Sequence, residues 1–157
     1  MRVLIGRGML AAAAIACLTL GSAPLAKAQW CSNDSLTGKY GQTISGQILP
    51  GPGVVLPQNG VAMTDFDGNG KFTQVDFVVI NGVPQSTGFQ SETGTYHVNA
   101  DCTGTATINY SDGSVIDLAL VIVHKGAEFR TVVQSLSLGG HPVAANIGSN
   151  GVRVHDE

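Results

Sequence analysis

The run "DFDGNGKFTQVD", residues 65–76, places Asp65, Asp67 and Asn69 at alternate positions, Gly70 at the bend and Asp76 twelfth. Hard cations are bound by oxygen ligands in that spacing when helices on both sides close the loop. Here the flanks are "VAMT" and "FVVI", both strand-like. If 70–80 is extended, Asp76 lies roughly 20 Å from the bend and cannot join Asp65 around one ion. The run therefore predicts a hairpin turn at Asp67–Gly70, with a partial calcium site of Asp65, Asp67 and Asn69 as the alternative.

Asp76 and two further polar residues sit where apolar ones are expected. Gln42 shares an alternation with Ile44 and Ile48, and Gln74 and Asp76 share one with Phe72, Val78 and Ile80. A polar group on the inner face of a sheet needs a partner, a water or a ligand, so these three are candidate ligand contacts. A shift of one residue in register would turn all of them outward. His97, His124, His141 and His155 lack the close spacing of metal ligands, and no metal site is expected. Glu128 and Arg130 share a strand face and read as a surface ion pair. No nucleophile elbow, Walker loop or dinucleotide fingerprint occurs, so no catalytic residue and no cofactor is assigned.

The elements that would position these groups are short runs rich in Val, Ile, Thr, Phe and Tyr. Asn-Gly at 59–60, 69–70, 81–82 and 150–151 and Asp-Gly at 67–68 and 112–113 punctuate them as hairpin turns. Strands are expected at 38–49, 60–67, 70–80, 94–100, 103–110, 114–124, 127–137 and 147–155. The fold class is all-β: an eight-stranded antiparallel up-and-down barrel, whose closure removes the exposed edges. "VIDLALVIV", 115–123, is apolar on both faces except at Asp117, which predicts a covering terminal segment or a homo-oligomer interface.

Residues 1–28 read as a cleaved signal peptide: Arg2 and Arg7, then "LAAAAIACLTLG", then Ala26-Lys27-Ala28. Lipoprotein processing at Cys17 is the weaker alternative. The expected location is secreted or periplasmic, with residues 29–157 as a single domain. There, five basic residues stand against eleven acidic ones, a formal charge of −6. With no basic cluster and no second long apolar run, neither nucleic acid nor a membrane is expected as a partner. Cys31 and Cys102 remain, and an exported chain with two cysteines predicts one disulfide.

Topology also predicts where a ligand enters. "PGPGVVLPQN", "NGVPQSTGFQSE" and "LGGHPVAANIG" all fall at the end of the barrel opposite the cysteines. Long loops of this kind build binding mouths. Val55, Phe89 and His141 are the candidate mouth residues for a small, partly apolar molecule.

The segment Gly94-x-Tyr96-x-Val98-Asn99-x-Asp101-Cys102-Thr103-Gly104-Thr105, together with "FDGNGKF", resembles a group of small exported bacterial proteins of unassigned activity. The resemblance implies a calycin or allene-oxide-cyclase-type barrel. Gly38-Lys39-Tyr40 is similar in placement to the Gly-x-Trp that opens the first strand of lipocalins. Small-molecule binding is the leading function; a cyclase or isomerase acting in the lumen and a filled barrel with an envelope or interaction role are the alternatives.

Overall fold

The computed structural model describes residues 30–154. The leader and its cleavage site lie outside the described residues, as does His155. Among the described residues the strands are β1 (Thr37–Gly51), β2 (Val54–Asp67), β3 (Lys71–Ile80), β4 (Val83–Pro84), β5 (Gln90–Val98), β6 (Thr103–Asn109), β7 (Val115–Val123), β8 (Glu128–Leu138), β9 (His141–Pro142) and β10 (Ala144–Arg153). The eight long strands pair antiparallel in chain order, and β10 closes the sheet by pairing with both β1 and β8. Two-residue β4 and β9 merely extend the hairpins of β3 and β8.

Alternation decides what faces inward. Along β2, Ala62, Thr64 and Phe66 are buried while Val61, Met63, Asp65 and Asp67 are exposed. On β5, Glu92, Gly94, Tyr96 and Val98 point in, and Thr93, Thr95 and His97 point out. In "VIDLALVIV", Ile116, Leu118, Leu120 and Ile122 share the buried-side register, leaving Val121 on the exposed outer wall. Asp117, also outward, accepts hydrogen bonds from Thr107 Oγ1 and Ser135 Oγ.

The interior has three layers. At the cysteine end, Tyr40, Phe66, Phe72, Tyr96 and Phe129 form an aromatic cluster with Leu36 and Ile122. Phe66 meets Tyr40, Tyr96 and Phe129 edge-on, the arrangement that ring quadrupoles favour. Residues before β1 stopper this end. Leu36 is fully buried, Tyr96 Oη donates to the Leu36 carbonyl at 2.9 Å, and Asn33 Oδ1 accepts the Val98 amide at 2.8 Å. Tyr40 also has no exposed surface. Its hydroxyl donates to the Gly126 carbonyl and accepts from Arg153 Nη2, whose guanidinium lies over the Tyr40 ring at 5.2 Å. At the other end Ile48, Leu136 and Ile147 make an aliphatic cluster. Between the two lies a polar layer.

Cys31 and Cys102 form the expected disulfide, with a Cα–Cα distance of 5.0 Å, tying the stopper to the β5–β6 turn. The Asp67–Gly70 run is the expected turn: Asp67 Oδ1 accepts the Asn69 and Lys71 amides at 2.7 and 2.9 Å. Asp65 faces outward and Asp76 is buried inside, so the wall separates the two ends of the twelve-residue pattern.

Two expectations need correction. Asn59-Gly60 and Asn150-Gly151 are not turns but lie within β2 and β10. At Gly151 an added Cβ would fall inside the Phe129 ring, so this glycine makes room for an aromatic in the lumen. The "PGPGVVLPQN" loop is also mostly strand, because β1 and β2 run on to a tight turn at Pro52-Gly53. Pro57 does not stop β2. Its carbonyl accepts the Asn81 amide, so its nitrogen faces the same side, beyond the last β2–β3 pair. A proline is tolerated where no ladder donor is required.

Candidate functional site

The polar layer is a hydrogen-bonded belt on the inner wall. Thr131 and Ser149 share a bond at 2.8 Å, and Ser149 Oγ donates to Gln42 Oε1 at 3.0 Å. Gln42 Nε2 donates to Thr64 Oγ1 and, at 3.3 Å, to Gln74 Oε1. Thr64 Oγ1 donates to the same Gln74 oxygen at 2.7 Å. Gln74 Nε2 and Tyr110 Oη both reach Asp76 Oδ2, at 3.4 and 3.3 Å. The belt thus passes through β8, β10, β1, β2 and β3 to Tyr110, just beyond β6. Each partner satisfies a group whose desolvation would otherwise cost about 1–3 kcal/mol.

Glu92 on β5 stands apart. It is directly opposite Gln74 in the β3–β5 ladder and only 5% exposed, yet its Oε2 is buried with no hydrogen-bond partner. Burial, and then the charge of Asp76, push its carboxyl up to about 7. Asp76 is also raised by burial, with the bonds from Tyr110 and Gln74 opposing the shift. Burial first, and then the charges of Asp76 and Glu92, push the Tyr110 phenol well above its ordinary value. The two carboxyls and the phenol resist ionising together because they share one dry wall.

Beside the belt is a cavity of about 60 Å³, bordered by Gln42, Thr64, Gln74, Asp76 and Tyr110 and by aliphatic residues such as Ile44 and Val133. That is space for about two waters, well below the ~300–1,000 Å³ of pockets that enclose drug-sized ligands. A larger guest enters only if the aliphatic layer parts.

The structure brings Gln42, Gln74 and Asp76 together on this belt and keeps Val55, Phe89 and His141 away from it. Val55 is half exposed on the β1–β2 hairpin, and Phe89 is 61% exposed and packs on Phe77 outside the wall, ring centroids 6.0 Å apart. His141 is exposed on β9. The mouth-end interior is instead Ile44, Leu56, Ile80 and Val143 around the Ile48 cluster. The sequence pattern misses Glu92 because it starts the strand that becomes β5 at 94 rather than at Gln90. Glu92, Gly94, Tyr96 and Val98 are one alternation, and that signal was present. Thr64, two residues before Phe66, was legible in the same way.

Arg130 and Glu128 form the expected surface ion pair at 3.3 Å, and His124 joins Glu128 at 3.0 Å. Among the described residues no cluster of His, Cys, Asp and Glu could hold a metal ion, and no helix is long and apolar enough to cross a membrane.

Closed up-and-down topology, a stoppered end and a lumen with an inner polar belt define a calycin-like barrel. Among solved structures the fold is similar to the S-type phycobiliprotein lyase of Guillardia theta, with a TM-score of 0.51 over 80% of this chain and 92% of that one. The two share 9% identity, so the likeness is one of fold. No family model and no curated protein sequence matches the chain.

Proposed function

We propose that this chain is an exported calycin-like binding protein whose lumen holds a small, mostly apolar molecule by one polar end. One observation carries the reading: a continuous polar belt borders the cavity of an otherwise apolar barrel. A barrel filled only for stability gains nothing from such a belt, since well-packed apolar side chains do as well or better. The solved neighbour, a phycobiliprotein lyase, shows only that the same architecture occurs in another protein. Export rests on the leader read from residues 1–28 and on the Cys31–Cys102 disulfide, which suits an oxidising compartment.

The test is native mass spectrometry of protein purified from its own host. A co-purified small molecule, lost when Gln74→Leu and Thr64→Val interrupt the belt, is the expected result. Protein of bare mass that also fails to take up small neutral probes would overturn the reading.

A second reading has an observation of its own. Asp76, Tyr110 and Glu92 converge at one point of the wall, and a carboxyl held near neutrality suits proton transfer. On that reading the barrel is an isomerase or cyclase. Exchange of solvent deuterium into a bound carbonyl compound, abolished by Asp76→Asn, distinguishes it from simple binding.

A further inference from the structure

Two acids meet in the lumen with no base to answer them. Asp76 and Glu92 lie diagonally across the β3–β5 ladder on the same inner face, where Gln74 pairs with Glu92 and Asp76 with Gln90. Side chains so placed are within reach of one another. The basic residues of the described chain are all elsewhere. Lys39, Lys71, Lys125 and Arg130 are exposed, and Arg153 is committed to the Tyr40 and Gly126 oxygens at the stoppered end. No lysine, arginine or histidine borders the cavity. His97, His124 and His141 are all exposed.

Charge inside a protein is expected to be paired. Asp76 takes two long hydrogen bonds on one oxygen, and Glu92 Oε2 takes none. Asp76 borders the cavity and Glu92 stands next to it on the same inner face, so the pair presents buried acceptor oxygens to a donor that reaches Asp76. Tyr110 and Gln74, the other polar groups at this point, each already donate a hydrogen bond to Asp76 Oδ2 and carry no positive charge.

We infer that the Asp76–Glu92 pair is the recognition point for a compact organic cation, a primary or secondary ammonium group carried on a small apolar body. This rests on the lumen-binding reading above and specifies its ligand class. The ammonium supplies both positive charge and N–H donors, the two things the pair lacks. The apolar body then lies along Ile44 and Val133, entering beyond the 60 Å³ cavity as the aliphatic layer parts around it. A carboxylate ligand is excluded by repulsion, and a neutral alcohol gains only a hydrogen bond. Because the free pair holds a proton near neutrality, taking up the cation expels it, and binding and proton release are linked.

The experiment titrates chain 29–157 with alkylamines of two to six carbons and with the matching alcohols, reading calorimetric heat and Tm. Amines should bind at least tenfold tighter than their alcohols at pH 8. At pH 6, heats measured in buffers of different ionisation enthalpy should show net proton release. Glu92→Gln should lose that release and most of the amine preference while still taking up the alcohols, and Asp76→Asn should reduce the preference as well. Equal affinity for amine and alcohol would overturn the cation assignment and leave lumen binding standing. Binding of neither would overturn both. Amine preference undiminished in both variants would place the cation site elsewhere and also refute the assignment.

Discussion

Replacing Glu92 by glutamine removes one ionisable carboxyl from the buried inner wall of the barrel and changes almost nothing in shape. Its carboxyl ordinarily titrates near 4.5 and is pushed up to about 7 in the folded protein, first by burial and then by Asp76. A carboxyl raised in this way binds its proton more tightly in the folded than in the unfolded chain. Stability therefore falls as pH rises from about 4.5 to about 7; the penalty is complete above that window and absent below it. At 1.36 kcal/mol per pH unit the full shift corresponds to about 3 kcal/mol. Screening by solvent at a one-layer wall reduces the usable figure to about 1.5 kcal/mol. For a domain of this size that is about 5 °C in Tm. The assay is thermal unfolding of both proteins from pH 4 to pH 8.5 at constant ionic strength. Glu92→Gln should match the parent near pH 4.5 and exceed it by about 5 °C at pH 8. A difference that stays constant with pH, or a less stable variant at pH 8, would refute the account of Glu92 as an unpaired buried acid.

Chain 29–157, unfolded without reductant, should show no free thiol to a titrating reagent. Reduction should lower its unfolding free energy by about 4 kcal/mol, the chain-entropy value for a loop spanning 71 residues. Gly94→Ala would drive a Cβ into the Phe72 ring and the Thr107 carbonyl, and should cost about 1–3 kcal/mol in urea unfolding. An equally stable variant would show that Phe72 does not rest on that backbone. Phe89→Ala and Val55→Asp alter exposed residues outside the cavity, so stability should move by less than about 0.5 kcal/mol. Lumen occupancy, read by native mass spectrometry, should not change; loss of ligand would return both residues to the binding mouth.

Local pattern was enough to read much of this protein. Period-two alternation and Asn-Gly or Asp-Gly punctuation predict eight antiparallel strands, because strand side chains change face at every residue and those dipeptides accept the backbone angles of tight turns. The same alternation predicts an inner face for Gln42, Gln74 and Asp76, and two cysteines in a chain that reads as exported predict their own bond. What the pattern lacked was distance across the barrel. Gly60 and Gly151 look like turn residues until the structure shows β2 and β10 running through them, with Gly151 lying beneath the Phe129 ring. Pro57 looks like a strand breaker until it is seen that its nitrogen meets no partner strand. Glu92 looks like any surface acid at the start of a strand. Pairing of β3, β5 and β6 places it beside Asp76 and Tyr110, and closure of the barrel then shuts that face away from water. Alternation says which side of the sheet a residue faces; closure decides what faces it.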